Sequence, residues 1–378
     1  MHANASVFWY FQMKIAGFFN KIDSGNIGLE NFMSQGADCE KVVLLFKQTQ
    51  KVAVAEMREN YGTISPALLR AVKGDLVSLF AFLMEIKKIS PDVIHAHHAH
   101  AALVASMVKL LFDIPMVTTA HANYKHYTVG QKVAFAVAFL CSDIVICNSK
   151  NTMASLPLFV RRRKVRVIYN GVNFARIDKN KIRRRLDRHN NVINIGAICR
   201  LVAVKDLPTL IRGFARASGK SSNALHLTII GGGDQRKQLE RLVVEFDLQE
   251  KVRFTGPLTR DDVYANLHDL DILVVSSKSE GFCNAMVEAA GAAKAVIATN
   301  IQSLREIIGI NNALFFEVGN DFELSAKLLS LAEDVSRRES ISAQACDHVR
   351  SQYDLPARAA QYRDVYEALA RGEAFDGL

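Results

Sequence analysis

The chain has 378 residues, 49% of them apolar and 22% charged, which is the balance of a soluble globular protein and more chain than one hydrophobic core usually serves. Its six cysteines are scattered, with no CxxC pair and no histidine group at metal-ligand spacing, which argues against a disulfide framework and against zinc. The net charge of +9 is concentrated, since residues 151–190 hold twelve Lys/Arg against two Asp/Glu.

The first stretch, MHANASVFWYFQMKIAGFF, is apolar but interrupted by Gln12 and Lys14, and it lacks a basic start and a small-residue cleavage site. It reads as a strand and not as a signal peptide. Short β-rich runs then recur at KVVLLF, DVIHAH, PMVTTAH, DIVICNS and VRVIYNG, and again at VINIGAI, LHLTIIGGG, KVRFTG, DILVVSS and AVIATN. Amphipathic stretches such as LPTLIRGFARA and RKQLERLVVEF separate them. This alternation predicts an α/β protein with parallel sheets covered by helices on both faces. The series breaks at VNFARIDKNKIRRRLDRHNN, read as the interdomain linker. The apolar runs LVSLFAFLMEI and VAFAVAFLCSDIVIC fall short of the roughly 20 residues a spanning helix needs, so no transmembrane segment is expected. Two doubly wound domains would leave a cleft beyond the carboxyl ends of their strands, where helix N-termini favour an anionic ligand.

Two constellations carry chemistry. In SEGFCNAMVEAAG, Glu280 lies in a loop after a strand and Glu288 in the first turns of the next helix, with Gly281 leaving room for backbone amides to approach a ligand. Paired carboxylates around a loop suit the vicinal hydroxyls of sugar and ribose. In INIGAICRLVAVKDLPTLIRGF, Arg200 and Lys205 flank the loop between a strand and a helix, where two fixed cations can neutralise a diphosphate. Each residue also has a bland reading, as dipole compensation or a surface charge. The strand–loop–helix context of the strings tips the balance toward a ligand site.

The C-terminal half resembles the retaining glycosyltransferase family 4, of GT-B architecture. The strings that carry the resemblance are GAICRLVAVKDLPTLIRGF, LTIIGGGDQRKQLERLV, VRFTGPL and SEGFCNAMVEAAGAAKAVIATNIQSLREII. Earlier strings, DVIHAHHAHAALVAS, PMVTTAHAN, VICNSK and VIYNGVN, are similar to the family's first domain. The resemblance implies a Rossmann-like acceptor domain at 1–178, a Rossmann-like donor domain at 179–355, and a helix at 356–378 that crosses back. It also implies that Arg200 and Lys205 hold the donor diphosphate, Glu288 the nucleotide ribose, Glu280 the transferred sugar, and that His121 reaches the sugar from the first domain. Phe282 and Asn284 complete the donor loop, and Gly25, with Gly28 in DSGNIG, is the counterpart of a glycine loop after the first strand. Three places depart from the family: that glycine loop matches poorly, Ala293-Lys294-Ala295 stands where the family has small-Gly-x-Pro, and Gln302-Ser303 replaces a glycine pair ahead of Glu306.

The expected reaction is transfer of a hexose or N-acetylhexosamine from a nucleoside-diphosphate sugar with retention, through front-face attack without a protein nucleophile. Asn284 is closer to the UDP-sugar members than to those using GDP-mannose. No Asp-x-Asp string lies near the site, so neither metal nor cofactor is expected. The expected partners are the nucleotide-sugar donor, a glycan or lipid-linked acceptor such as lipopolysaccharide, and anionic membrane met through the basic segment 161–188. Nucleic acid is not expected, because no aromatic residues alternate with the basic ones. The expected location is the cytoplasm, at the inner face of the membrane. Three rivals remain open: a nucleotide-sugar epimerase of the same fold, a donor-binding pseudoenzyme or sensor, and a NAD-dependent oxidoreductase. The last lacks a G-x-G-x-x-G between strand and helix.

Overall fold

The computed structural model describes residues 13–19, 32, 40–45, 76–161, 165–180 and 192–373. The strand read at VFWYF, the loop with Gly25 and Gly28, and most of the basic segment lie outside these residues. The described chain forms two six-stranded, all-parallel sheets. In the first, strands β1 (Lys14–Phe19), β2 (Glu40–Leu45), β3 (Val93–Ala96), β4 (Met116–Ala120), β5 (Ile144–Cys147) and β6 (Val165–Val167) run in the order β2-β1-β3-β4-β5-β6. In the second, β7 (Val192–Ile198), β8 (Ala224–Ile230), β9 (Val252–Gly256), β10 (Ile272–Val275), β11 (Ala295–Thr299) and β12 (Leu314–Phe316) run β12-β11-β10-β7-β8-β9.

The apolar runs explain the parallel pairing. Strands β3, β4, β5, β10 and β11 are buried at every residue, as strands covered on both faces must be. The first sheet carries α1 (Leu76–Ile89), α2 (Ala99–Phe112), α3 (Val129–Cys141), α4 (Lys150–Ser155) and α5 (Leu158–Arg161). Helix α3 starts at a capping box, in which Thr128 accepts from the Gln131 amide and the Gln131 side chain accepts from the Thr128 amide. After α6 (Phe174–Asn180) come the helices of the second sheet, α7 (Leu207–Ser218), α8 (Arg236–Glu245), α9 (Arg260–Asp269), α10 (Asn284–Gly291), α11 (Gln302–Ile308), α12 (Asp321–Glu333) and α13 (Val335–Tyr353). On α7 the buried Leu207, Leu210, Ile211, Phe214 and Ala217 fall at helical spacing and enter the core of that sheet.

The chain passes between the lobes twice, and the two passages lie side by side. The Val172 amide donates to the Tyr353 carbonyl at 2.8 Å, and the Leu355 amide donates back to the Val172 carbonyl at 3.1 Å. The stretch read as a linker opens with α6, whose Phe174 and Ile177 are buried with Leu267 and Met286 of the second lobe. The last helix, α14 (Leu355–Ala370), lays Tyr362, Val365 and Tyr366 against Ile15, Val93 and Val117 of the first sheet. Among the described residues, no helix is long and apolar enough to cross a membrane.

Candidate active site

In each sheet the strand order reverses at one place, between β1 and β3 in the first and between β7 and β10 in the second. Side chains beyond the carboxyl ends of those strands face a crevice that a parallel sheet leaves open for ligands.

Beyond β7, Arg200 is exposed on the loop. That loop is held by the glycine run that ends β8. The Leu201 amide donates to the Gly232 carbonyl at 2.9 Å, and a Cβ at Gly231, which sits at φ +133°, would come within 2.0 Å of the Cys199 carbonyl oxygen. Lys205 follows in a single 3-10 turn, and its Nζ donates to Glu280 Oε1 at 2.5 Å. Ser277 Oγ donates to the same oxygen at 2.6 Å, and Ser276 Oγ donates to the Lys205 carbonyl at 2.7 Å. Glu280 Oε2 takes no hydrogen bond among the described residues. Burial pushes the Lys205 ammonium toward its neutral form, but the charge and hydrogen bond of Glu280, together with Cys283 and Cys199, leave the net shift upward. The lysine therefore stays charged.

Glu288 is the other carboxylate of the string. It is 1% exposed, on the buried face of α10, and is ion-paired with Arg260 from the first turn of α9. The Arg260 guanidinium also lies 4.9 Å over the Tyr264 ring. The start of α10, with Cys283 as an N-cap that makes no side-chain bond, leaves its first amides available to a ligand. Asn284, the first residue of the helix, accepts from Asn170 Nδ2 at 3.2 Å. The ring of Phe282 is buried 5.4 Å from that of Tyr353 and 6.2 Å from that of Tyr169.

The first lobe meets this loop at His121, just past β4. A Cβ at Gly281 would fall 2.3 Å from the His121 carbonyl oxygen, so glycine is what lets the two backbones touch. The same carbonyl accepts from Asn148 Nδ2 at 2.9 Å. His121 Nε2 pairs with His97 Nδ1 at 3.2 Å. Behind it, His95 is bonded to Tyr366 at 2.6 Å and to Thr119 at 2.7 Å. Burial, with the nearby His98, lowers His121 to about 3, burial lowers His98 to about 4, and burial with neighbouring histidines holds His95 and His97 well below the usual range. All four rings are neutral at pH 7.

The structure thus brings Lys205 and Glu280 into direct contact and sets Gly281 on His121, while Glu288 sits apart with its own partner. Arg260, Ser277 and His97 were not singled out in the sequence. A signal for His97 existed in the run HAHHAH at the end of a strand, whereas nothing local marks Arg260 as the partner of a residue 28 positions away. Among the described residues no group of three or more His, Cys, Asp or Glu is placed to hold a metal ion.

Two family models match the chain consecutively: the description "Glycosyltransferase Family 4" over residues 40–176 and "Glycosyl transferases group 1" over residues 178–348. Together they span most of the chain, which belongs to the group 1 glycosyltransferases of family 4 and is a transferase of glycosyl groups. The chain is similar to the lipopolysaccharide core biosynthesis glycosyltransferase LpsD of Rhizobium meliloti, 26% identical over 82% of this chain and 85% of that one. It is also 28% identical to an uncharacterised glycosyltransferase of Methanocaldococcus jannaschii, over 74% of this chain and 76% of that one. Its fold matches the Anabaena protein HepE in complex with UDP and glucose, with a TM-score of 0.80, 20% identity, and coverage of 94% of this chain and all of that one. The architecture is therefore GT-B, two doubly wound lobes facing across a cleft.

Proposed function

We propose that this glycosyltransferase moves a hexose or N-acetylhexosamine, with retention, from a UDP-sugar to a glycan or lipid-linked acceptor in the synthesis of lipopolysaccharide or another surface polysaccharide. The observation that carries the reading is the contact of Lys205 with Glu280 on one lobe, set beside the abutment of Gly281 on His121 of the other. The similarity to a lipopolysaccharide core glycosyltransferase and the HepE fold, whose structures hold UDP and UDP-glucose, support the acceptor and donor classes.

In this reading the departing diphosphate gathers negative charge that Arg200, Lys205 and the first amides of α10 meet in place. Groups already oriented need no rearrangement at the moment of bond breaking, which is electrostatic catalysis of the preorganised kind. Glu280 offers its free oxygen to a hydroxyl of the transferred sugar. Glu288 takes the ribose hydroxyls, and its ion pair with Arg260 orients it. The acceptor attacks from the front face and the leaving phosphate receives its proton, so no protein nucleophile is required, and the two cations supply the charge that a metal supplies elsewhere.

A thermal-shift screen with UDP, GDP, ADP, NAD and several UDP-sugars, followed by a nucleotide-release assay, tests the donor. A ligand at a hundred times its dissociation constant adds about 2.7 kcal/mol. The expected result is a shift with UDP compounds alone and release of UDP when acceptor is present. A shift without release makes the chain a sensor, and a response to NAD alone overturns the reading. Lys205→Ala and Glu288→Gln should each cut transfer by about a hundredfold while the fold persists. Near-normal turnover in both would remove the site assignment.

The lipid-linked acceptor has its own support. Val129, Val133, Val137 and Leu140 form an exposed apolar stripe along α3, and Leu158 and Phe159 are exposed just before the basic run that begins at Arg161. Apolar residues beside clustered cations suit an anionic bilayer surface. Flotation with vesicles rich in anionic lipid, but not with neutral ones or at high salt, is the expected outcome. Binding that ignores both variables would sink the membrane contact.

A further inference from the structure

Four histidine rings crowd the first lobe behind the cleft, and of these only His121 is expected, by the family resemblance, to reach the donor sugar. His97 is 4% exposed and its ring is stacked on Phe19, with centroids 4.3 Å apart and planes 12° from parallel. Phe32 stands edge-on at 5.7 Å. The ring is thus fixed in plane and position. Its Nδ1 faces His121 Nε2 at 3.2 Å, while its Nε2 is buried with no hydrogen-bond partner.

A neutral imidazole carries one proton, on one nitrogen or the other. With the proton on Nε2, His97 would bury an N–H that has no acceptor, a costly arrangement. With the proton on Nδ1, the buried Nε2 is a bare lone pair and the N–H is donated to His121. The second arrangement wastes less. It also dictates the partner's state, because a His121 that accepts at Nε2 must hold its own proton on Nδ1. Among the described residues that Nδ1 has no partner.

We propose that His97 is a positioning residue that locks His121 in the Nδ1–H tautomer, so that His121 presents a hydrogen-bond donor, not a base, to an oxygen of the donor sugar or its phosphate. The inference rests on the reading of His121 as part of the donor site. It extends that reading by assigning the direction of the bond and the residue that sets it. Such a donor complements a leaving group that gains negative charge, and it leaves proton acceptance to the phosphate itself.

The test is the tautomer, read from long-range proton–nitrogen correlation spectra of the full chain labelled with ¹⁵N-histidine at pH 7. In the unmodified protein, His121 and His97 should both carry the proton on Nδ1. His97→Leu should release His121 to a mixture of tautomers and lower kcat/KM by up to about tenfold, the worth of one hydrogen bond. His97→Asn, whose amide reaches the place of Nδ1, should restore most of both. A proton on Nε2 of His121 in the unmodified protein overturns the proposal, and so does an unchanged His121 tautomer in His97→Leu. The unmodified spectrum needs no folded variant and no turnover. If it shows the Nδ1–H form while no sugar nucleotide binds in the thermal-shift screen, the lock stands and the donor-site reading falls.

Discussion

Ala293 holds φ +55°, a left-handed conformation that costs a residue with a Cβ roughly 1–2 kcal/mol. It ends the turn between α10 and β11, at the position where the family resemblance calls for glycine, and the backbone has kept the shape that glycine would take freely. Ala293→Gly should therefore raise stability by about 1 kcal/mol, measured by urea denaturation, with activity unchanged. A loss of stability would mean that the turn is set by something other than the backbone. The places of Glu280, Glu288, Arg200 and Lys205 were legible because each sits in a string whose strand, loop and helix could be placed from pattern alone. Their partners were not. Arg260 reaches Glu288 because α9 and α10 lie on the same side of the sheet, and no local signal encodes that.

At the scale of elements, the strand end bearing HAHHAH buries His95 against Tyr366 of the last helix and stacks His97 on Phe19. The unfolded chain releases these rings to water, where they titrate near pH 6.5. Folded, His98 and His121 titrate only at about 4 and about 3, and His95 and His97 lie well below their usual value. Between those limits the unfolded state binds protons that the folded state does not, so stability falls as pH falls. The midpoint of thermal unfolding should drop already between about pH 6.5 and pH 5, before carboxylates begin to protonate. A flat profile across that window would contradict the burial of the rings. The amphipathic stretch LPTLIRGFARA was readable, since the spacing of Leu207, Leu210, Ile211 and Phe214 gives the inner face of α7, whereas the Thr128–Gln131 capping box that starts α3 was not singled out. The strand KIAGFF is the end of the first apolar stretch, which reads as a strand, whereas LFF was missed because it is too short to show a period.

For the whole molecule, the lobes touch through a few small groups. Glu306 of α11 accepts from the amides of Lys150 and Asn151 at 2.6 and 2.9 Å and from Tyr169 Oη at 2.9 Å, and Gly281 rests on the His121 carbonyl. These contacts hold the lobes together over the cleft, an arrangement that shuts out water in enzymes of many kinds. Gly281→Ala places a methyl group in the path of that carbonyl and should hold the lobes apart. The expected outcome is a loss of about a hundredfold in kcat/KM with an unchanged melting temperature and a larger radius of gyration in X-ray scattering. Full activity would show that the lobes need not meet at this point.

The sequence by itself determined the class of fold, because apolar runs of strand length alternating with amphipathic helices can bury their surfaces only as covered parallel sheets. It also set the paired carboxylates and cations at the turns between strand and helix, since those positions depend on residues close together in the chain. The tertiary structure decided which charges pair, that α14 closes against the first sheet, that four histidines cluster together, and that Gly281 is one of the points of contact between lobes. Each of these joins residues far apart in the chain, and such contacts are set by how the sheets, helices and lobes pack, which no local pattern records.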